Sequence, residues 1–126
     1  MIAHGIDTTI VEIDPVVYDF AKKYFALLPN HTAVIADAVQ WSQENQVDRV
    51  ESYDYIIHDV FTGGAEPIDL FTEEFLSSLS AMLKPNGIIA IVSSRFGPSY
   101  LKIRRKEKGN PNWLCRTTPA TLPSRP

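Results

Sequence analysis

Four short runs rich in β-branched and apolar residues recur along residues 1–92, and a helix-like stripe separates each run from the next. This alternation constrains the fold more than any other feature. Strand, helix, strand, helix, strand, helix, strand is the order of a parallel sheet with crossover helices, an α/β fold. The first run, Gly5 to Asp14, carries Thr8, Thr9, Ile10, Val11 and Ile13 almost without alternation, as expected of a strand covered on both faces. Gly5 reads as the left-handed end of a preceding helical turn. Asp14 and Pro15 read as the N-cap and first residue of a helix whose stripe is Val16, Val17, Phe20, Tyr24, Phe25 and Leu28, ended by Pro29-Asn30.

The pattern then repeats. His31 to Ala36 is expected as a strand, and 38–47 as a short helix with Trp41 and Val47 on its apolar side. Ser52 to Val60 is expected as a strand with Ile56 and Ile57 toward the core, and Thr62 to Pro67 as a glycine-containing loop. Leu70, Phe71, Phe75, Leu76, Leu79, Met82 and Leu83 share one side of a helix over 70–83. Lys84-Pro85-Asn86-Gly87 reads as a turn, and Gly87 to Val92 as a strand buried on both faces.

After Val92 the order stops. Residues 1–92 carry a net charge of −10, whereas 93–126 carry +7 and five of the nine prolines. Two parts are therefore expected: a domain over 1–92, and a basic, proline-rich tail over 93–126, irregular and disordered. The longest purely apolar run, Ile88 to Val92, is far short of the ~20 residues of a membrane span. The N-terminus lacks the features of a secretion signal, so a cytoplasmic chain without membrane contact is expected. A single cysteine, Cys115, excludes an internal disulfide framework and a cysteine-based zinc site. His4, His31 and His58 have no ligand spacing, so no metal is expected. The acidic body argues against nucleic acid as a partner.

In open α/β sheets, ligands bind beyond the carboxyl ends of the strands. Glu12 and Asp14 fall there after the first strand, Asp37 after the second and Asp59 after the third. Asp14 reads as a helix cap. Glu12 is not in capping position and suits ribose hydroxyls, since a carboxylate offers two acceptor oxygens to two adjacent donors. Asp37 reads equally as a cap or as a ligand group. Asp59 stands where a buried strand opens into a glycine loop, a common location for catalysis. His58 alternates with Asp59 and reads as packed on the opposite face. Ser77, Ser78 and Ser80 lack any nucleophile signature.

Val11-Glu12-Ile13-Asp14-Pro15, Ala36-Asp37-Ala38, Tyr53-Asp54-Tyr55-Ile56-Ile57-His58-Asp59, Gly64-Ala65-Glu66, Leu70-Phe71-Thr72-Glu73-Glu74-Phe75 and Leu83-Lys84-Pro85-Asn86-Gly87-Ile88 occur in this order. Together they resemble the middle of a spermidine synthase-like (polyamine aminopropyltransferase) protein, over roughly residues 3–92. The resemblance implies a Rossmann-like, class I methyltransferase-type parallel sheet. It implies a transferase, in polyamine biosynthesis or methyl transfer, that uses S-adenosylmethionine or decarboxylated S-adenosylmethionine. It implies a small-molecule acceptor such as a polyamine, and subunits that pair as a homo-oligomer or with a full-length relative.

By the same resemblance, Glu12 binds the ribose hydroxyls of the adenosyl group. Asp37 and Ala38 read the adenine amino group. Asp59 is the first acid of the family's Asp-x-x-Asp motif and accepts the proton of the attacking amine. Thr62 stands where the second, substrate-holding acid belongs, and a hydroxyl does not pair with an ammonium as a carboxylate does. Polyamine specificity is thereby weakened, and a methyltransferase acting on another acceptor is a serious alternative.

The family begins this domain with a central strand and a glycine-rich loop that cradles the methionine part of the cofactor. Neither precedes Gly5 here, so the chain is expected to be truncated at both ends and inactive as given, or else a non-catalytic fragment that binds a full-length relative. With the central strand missing, the strands over 6–13 and 53–60 would close together, accept another segment between them, or fold poorly.

Overall fold

The computed structural model describes residues 1–60 and 67–93, and the backbone of 100–105 and 114–119. The expected alternation is present. A 3-10 turn over Ile2–His4 is followed by β1 (Thr9–Glu12), α1 (Pro15–Tyr24), β2 (Thr32–Ile35), α2 (Ala38–Asn45) and β3 (Tyr53–Asp59). A second 3-10 turn (Ile68–Phe71), α3 (Glu73–Met82), β4 (Leu83–Ser93), β5 (Tyr100–Arg105) and β6 (Leu114–Pro119) complete the order. The strands divide between two sheets, β1-β2 and β3-β4-β5-β6. The chain correspondingly forms two units, Met1–Trp41 and Ser42–Pro126. Among the described residues β1 ladders with β2, and β3 with β4.

In the first unit, Gly5 has φ 72° and its N–H donates to the Ile2 carbonyl at 3.0 Å, the left-handed end that its sequence position implies. β1 and β2 run parallel, with Glu12 opposite Ile35. Asp14 caps α1: its Oδ1 accepts from the Val16 N–H at 2.8 Å, and Pro15 occupies the first helical position. The helix ends at Tyr24, short of the expected Leu28. The physical reason is local. Ala26 takes φ 52°, and the N–H groups of Phe25 and Leu27 both donate to the Ala21 carbonyl, which turns the chain out of the helix. The α1 stripe is not buried: Val16, Phe20 and Tyr24 are 53%, 52% and 62% exposed. Tyr18 ties the helix to the next segment, its hydroxyl 2.9 Å from His31 Nε2, while His31 Nδ1 donates to the Leu28 carbonyl at 2.6 Å.

The second unit holds the core. Phe75, Leu79, Met82 and Leu83, from α3 and the start of β4, are buried with Ile89, Ala90 and Ile91. Thr72 caps α3, its Oγ1 accepting from the Phe75 N–H at 3.3 Å. β3 and β4 are parallel, from Tyr55↔Ile88 to Asp59↔Val92. Lys84–Gly87, expected as a turn, is a bulge inside β4: Tyr53 pairs with Leu83 and Tyr55 with Ile88, so the longer stretch of β4 bows out. Asn86 takes φ 69° within it. Gly87 is buried there, and a Cβ at this position would lie 2.9 Å from the Lys84 carbonyl oxygen and 3.2 Å from that of Asp54. Only glycine allows so close an approach. The core differs from expectation at two points. Ile57 is 52% exposed and Val47 77% exposed, while Ser42 and Ser78 are buried instead, their hydroxyls 2.8 Å apart. Ser78 also meets the carbonyl of Phe75 at 2.7 Å.

Within 93–126, expected as an irregular, disordered tail, β5 pairs antiparallel with β4 and β6 antiparallel with β5. Backbone ladders on a strand as apolar as 88–92 satisfy N–H and C=O groups that an uncovered edge would leave unpaired. Residues 94–99, 106–113 and 120–126 of that segment lie outside the described residues.

Candidate functional site

The acids of the first unit gather at the carboxyl ends of its two strands. Glu12 ends β1, and the Ala36 N–H donates to the Glu12 backbone carbonyl at 3.0 Å, which brings the start of the 36–38 segment beside it. Glu12 Oε1 accepts from the Asp14 N–H at 3.0 Å, so the carboxylate is turned along the β1–α1 connection. Asp37 Oδ1 accepts from the N–H groups of Val39 at 2.7 Å and Gln40 at 3.2 Å. It therefore caps α2, which was one of its two readings. Each of these two carboxylates uses one oxygen in these bonds and has a second with which to accept. Ala38, the first residue of α2, is half-buried. Asp14 is the cap that its position implies, with its Oδ1 committed to Val16.

Asp59 belongs to the second unit. It is the last residue of β3, exposed, and opposite Val92 in the ladder. Its neighbour His58 points to the other face and is 4% exposed. The ring packs edge-on against Phe71, with centroids 4.8 Å apart, and tilted against Phe75 at 5.7 Å. Nε2 donates to the Leu70 carbonyl at 2.8 Å. The packed reading of His58 matches this. The bond to Leu70 had no mark in the sequence beyond the i, i+4 spacing of Phe71 and Phe75. Thr62 lies outside the described residues.

The structure thus brings Glu12, Asp37 and Ala38 together, with Asp59 on a strand of the second sheet. Among the described residues no group of three or more His, Cys, Asp or Glu could hold a metal ion, and no helix is long and apolar enough to cross a membrane.

The chain is similar to several known proteins. It is 59% identical over 92 residues to an N-terminal histidine N-methyltransferase of Emericella nidulans, a match over 72% of this chain and 16% of that protein. It is 35% identical over 94 residues to a polyamine aminopropyltransferase of Vibrio vulnificus, over 73% of this chain and 30% of that protein. Among solved structures, a spermidine synthase in complex with the transition-state analogue AdoDATO superposes with a TM-score of 0.57 at 26% identity, over 68% of this chain and 30% of that one. The chain therefore spans less than a third of the length of each. The family profile described as spermine/spermidine synthase domain matches residues 4–102, ten residues past the point where the sequence resemblance ends. With most of its length inside that match, this chain belongs to the spermine/spermidine synthase family.

Proposed function

We propose that the chain carries the nucleoside-holding and acceptor-facing parts of a transferase that uses S-adenosylmethionine or its decarboxylated form. The group passed on is a methyl or an aminopropyl group, and the acceptor is a small amine or another nucleophile. One observation carries this reading: Glu12 and Asp37 stand at the neighbouring carboxyl ends of paired strands, each with an oxygen to accept with. The chemistry of this set fits a nucleoside. Glu12 would accept from the ribose hydroxyls, and Asp37 with Ala38 would meet the adenine amino group. The bound sulfonium would supply an electrophilic carbon.

Asp59 would take the proton of the acceptor. A protonated amine has no lone pair for attack, and a carboxylate beside it both attracts the ammonium and removes its proton. Thr62, a hydroxyl where the family has a second acid, would bind the acceptor without its charge. This favours an acceptor other than a dicationic polyamine, in keeping with the likeness to a protein named for methylating an N-terminal histidine.

One glycine, Gly5, precedes Glu12, so the loop that would hold the methionine part has no counterpart in residues 1–11. Binding by this chain is therefore expected at about 1 mM or weaker, near −4 kcal/mol. Titration of the 15N-labelled chain with S-adenosylmethionine tests the reading. Amide shifts confined to the ends of β1 and β2, weak, and lost in Glu12→Ala, support it. A micromolar constant overturns the incomplete site, and shifts elsewhere overturn the nucleoside role.

A second reading, a non-catalytic chain that pairs with a full-length relative or with itself, is favoured by the outer position of β1, β2 and β3 in their sheets and by the exposed α1 stripe. Size-exclusion chromatography with a full-length aminopropyltransferase decides it: separate elution at micromolar concentration rules it out.

A further inference from the structure

Among the described residues β3 is held by a ladder on one side, that of β4, at the end of the sheet order. Its last residue, Asp59, pairs with Val92. Strand ends of this kind fray. His58 supplies a restraint from below. Its Nε2 lies 2.8 Å from the Leu70 carbonyl oxygen. A carbonyl only accepts, so Nε2 carries a proton. Nδ1 is buried and has no hydrogen-bond partner among the described residues.

A buried polar atom without a partner costs free energy, and an apolar residue of similar size would fill the space between Phe71 and Phe75 without that cost. What the histidine alone contributes is the bond to Leu70, twelve residues downstream. That bond ties the carboxyl end of β3 to the 3-10 turn over Ile68–Phe71.

We propose that His58 is a positioning residue for Asp59: its Nε2–H, held on the Leu70 carbonyl, keeps the end of an edge strand from fraying and so holds Asp59 ready for a cationic acceptor. The last clause rests on the reading of Asp59 as the acceptor-facing carboxylate.

The test uses the full chain labelled with 15N and 13C. The ring spectrum of His58 should show a protonated Nε2; a ring bare at Nε2 overturns the proposal whatever Asp59 binds, and this holds even where a variant fails to fold. His58→Phe fills the site and removes the donor, whereas His58→Gln keeps an amide donor at the reach of Nε2. In His58→Phe the backbone order parameter of Asp59 should fall from about 0.85 to below about 0.6, while Ile89 and Ile91 stay unchanged. His58→Gln should restore it. An unchanged Asp59 in His58→Phe, or no recovery in His58→Gln, overturns the proposal.

Propylamine, a monoamine, is then the amine probe, read from the Asp59 carboxylate 13C resonance. Its binding should weaken about fivefold in His58→Phe, the size of one net hydrogen bond, and recover in His58→Gln. Propylamine that leaves wild-type Asp59 unperturbed refutes the acceptor reading alone, because the ring and order measurements decide His58 without it.

Discussion

The two units of this chain are built from the same kinds of element, yet only one of them buries anything. Residues 1–41 contain two parallel strands and a well-capped helix, and none of these residues is buried. The second unit sets one helix against a four-stranded sheet and buries Met82, Leu83 and Ile89 to 1% or less. The residue types do not explain the contrast, since α1 offers Val16, Val17 and Phe20 much as α3 offers Phe75, Leu79 and Met82. The number of strands does. Two strands form a ribbon too narrow to cover a helix stripe, whereas three or more with an apolar face give it a floor. The teaching is that amphipathicity states what a helix requires, and the sheet beneath decides whether it is met.

The largest expected effect follows directly. Leu83→Ala should destabilise the second unit by about 2–5 kcal/mol, the cost of an emptied core site. Phe20→Ala, at a side chain 52% exposed, should change stability by no more than about 0.5 kcal/mol. Urea unfolding followed residue by residue by NMR measures both. A Phe20→Ala cost that approaches that of Leu83→Ala would break the comparison, because it would mean that the α1 stripe is covered in solution.

How much of this could be read beforehand depends on how local each feature is. Gly5, Asp14 and the α3 stripe were legible because caps and helical spacing act within one or two turns; the Thr72 cap was not read. The early end of α1 was not, because the turn comes from Ala26 at φ 52°, and a non-glycine residue in that region has no sequence mark. Lys84–Gly87 has the composition of a turn, but its role as a bulge depends on Leu83 pairing with Tyr53, thirty residues away in the chain. Ile57 misled for a related reason: Ile56 and Ile57 both read as core, and two adjacent apolar residues on a strand do not reveal which face is open. The site divides in the same manner. Glu12 and Asp37 stand at strand ends that neighbour each other by the shortest crossover, so sequence order found them. That Asp59 belongs to a separate ladder, and that His58 reaches Leu70, depend on pairings that no local pattern encodes.

A smaller effect sharpens the contrast. Thr72→Ala removes the acceptor for the Phe75 N–H, and Asp14→Ala removes that for Val16. Each cap is worth about 1 kcal/mol. In the second unit that loss should register throughout, lowering protection of β3 and β4 amides together, because α3 packs on the same core. In the first unit it should stay within α1, since no buried residue links the helix to β1 and β2. Amide hydrogen exchange on the two variants separates these outcomes, and a uniform loss of protection across residues 1–41 in Asp14→Ala would show a cooperative first unit after all.

The smallest effect tests how far side-chain contacts, rather than burial, organise the first unit. Lys22 Nζ lies 2.8 Å from Asp19 Oδ1 and 4.6 Å above the Tyr18 ring. The hydrogen bond to Asp19 holds the ammonium above its ordinary value of 10.5; the charges of Asp19 and Tyr18 add to this, and slight burial opposes it. A cation favoured in the folded state contributes its stability in full below 10.5 and loses it as pH rises through the raised value. The pair is therefore complete at neutral pH and fades only in strong alkali. Detection of the Lys22 ammonium by NMR across that range should give a midpoint above 10.5 in the wild type, moving back toward it in Asp19→Asn. The residues involved are three apart on one helix, so the loss should be confined to α1. Any response of β1 or β2 amides to Asp19→Asn would mean that this surface pair, and not a core, is what couples the helix to its sheet.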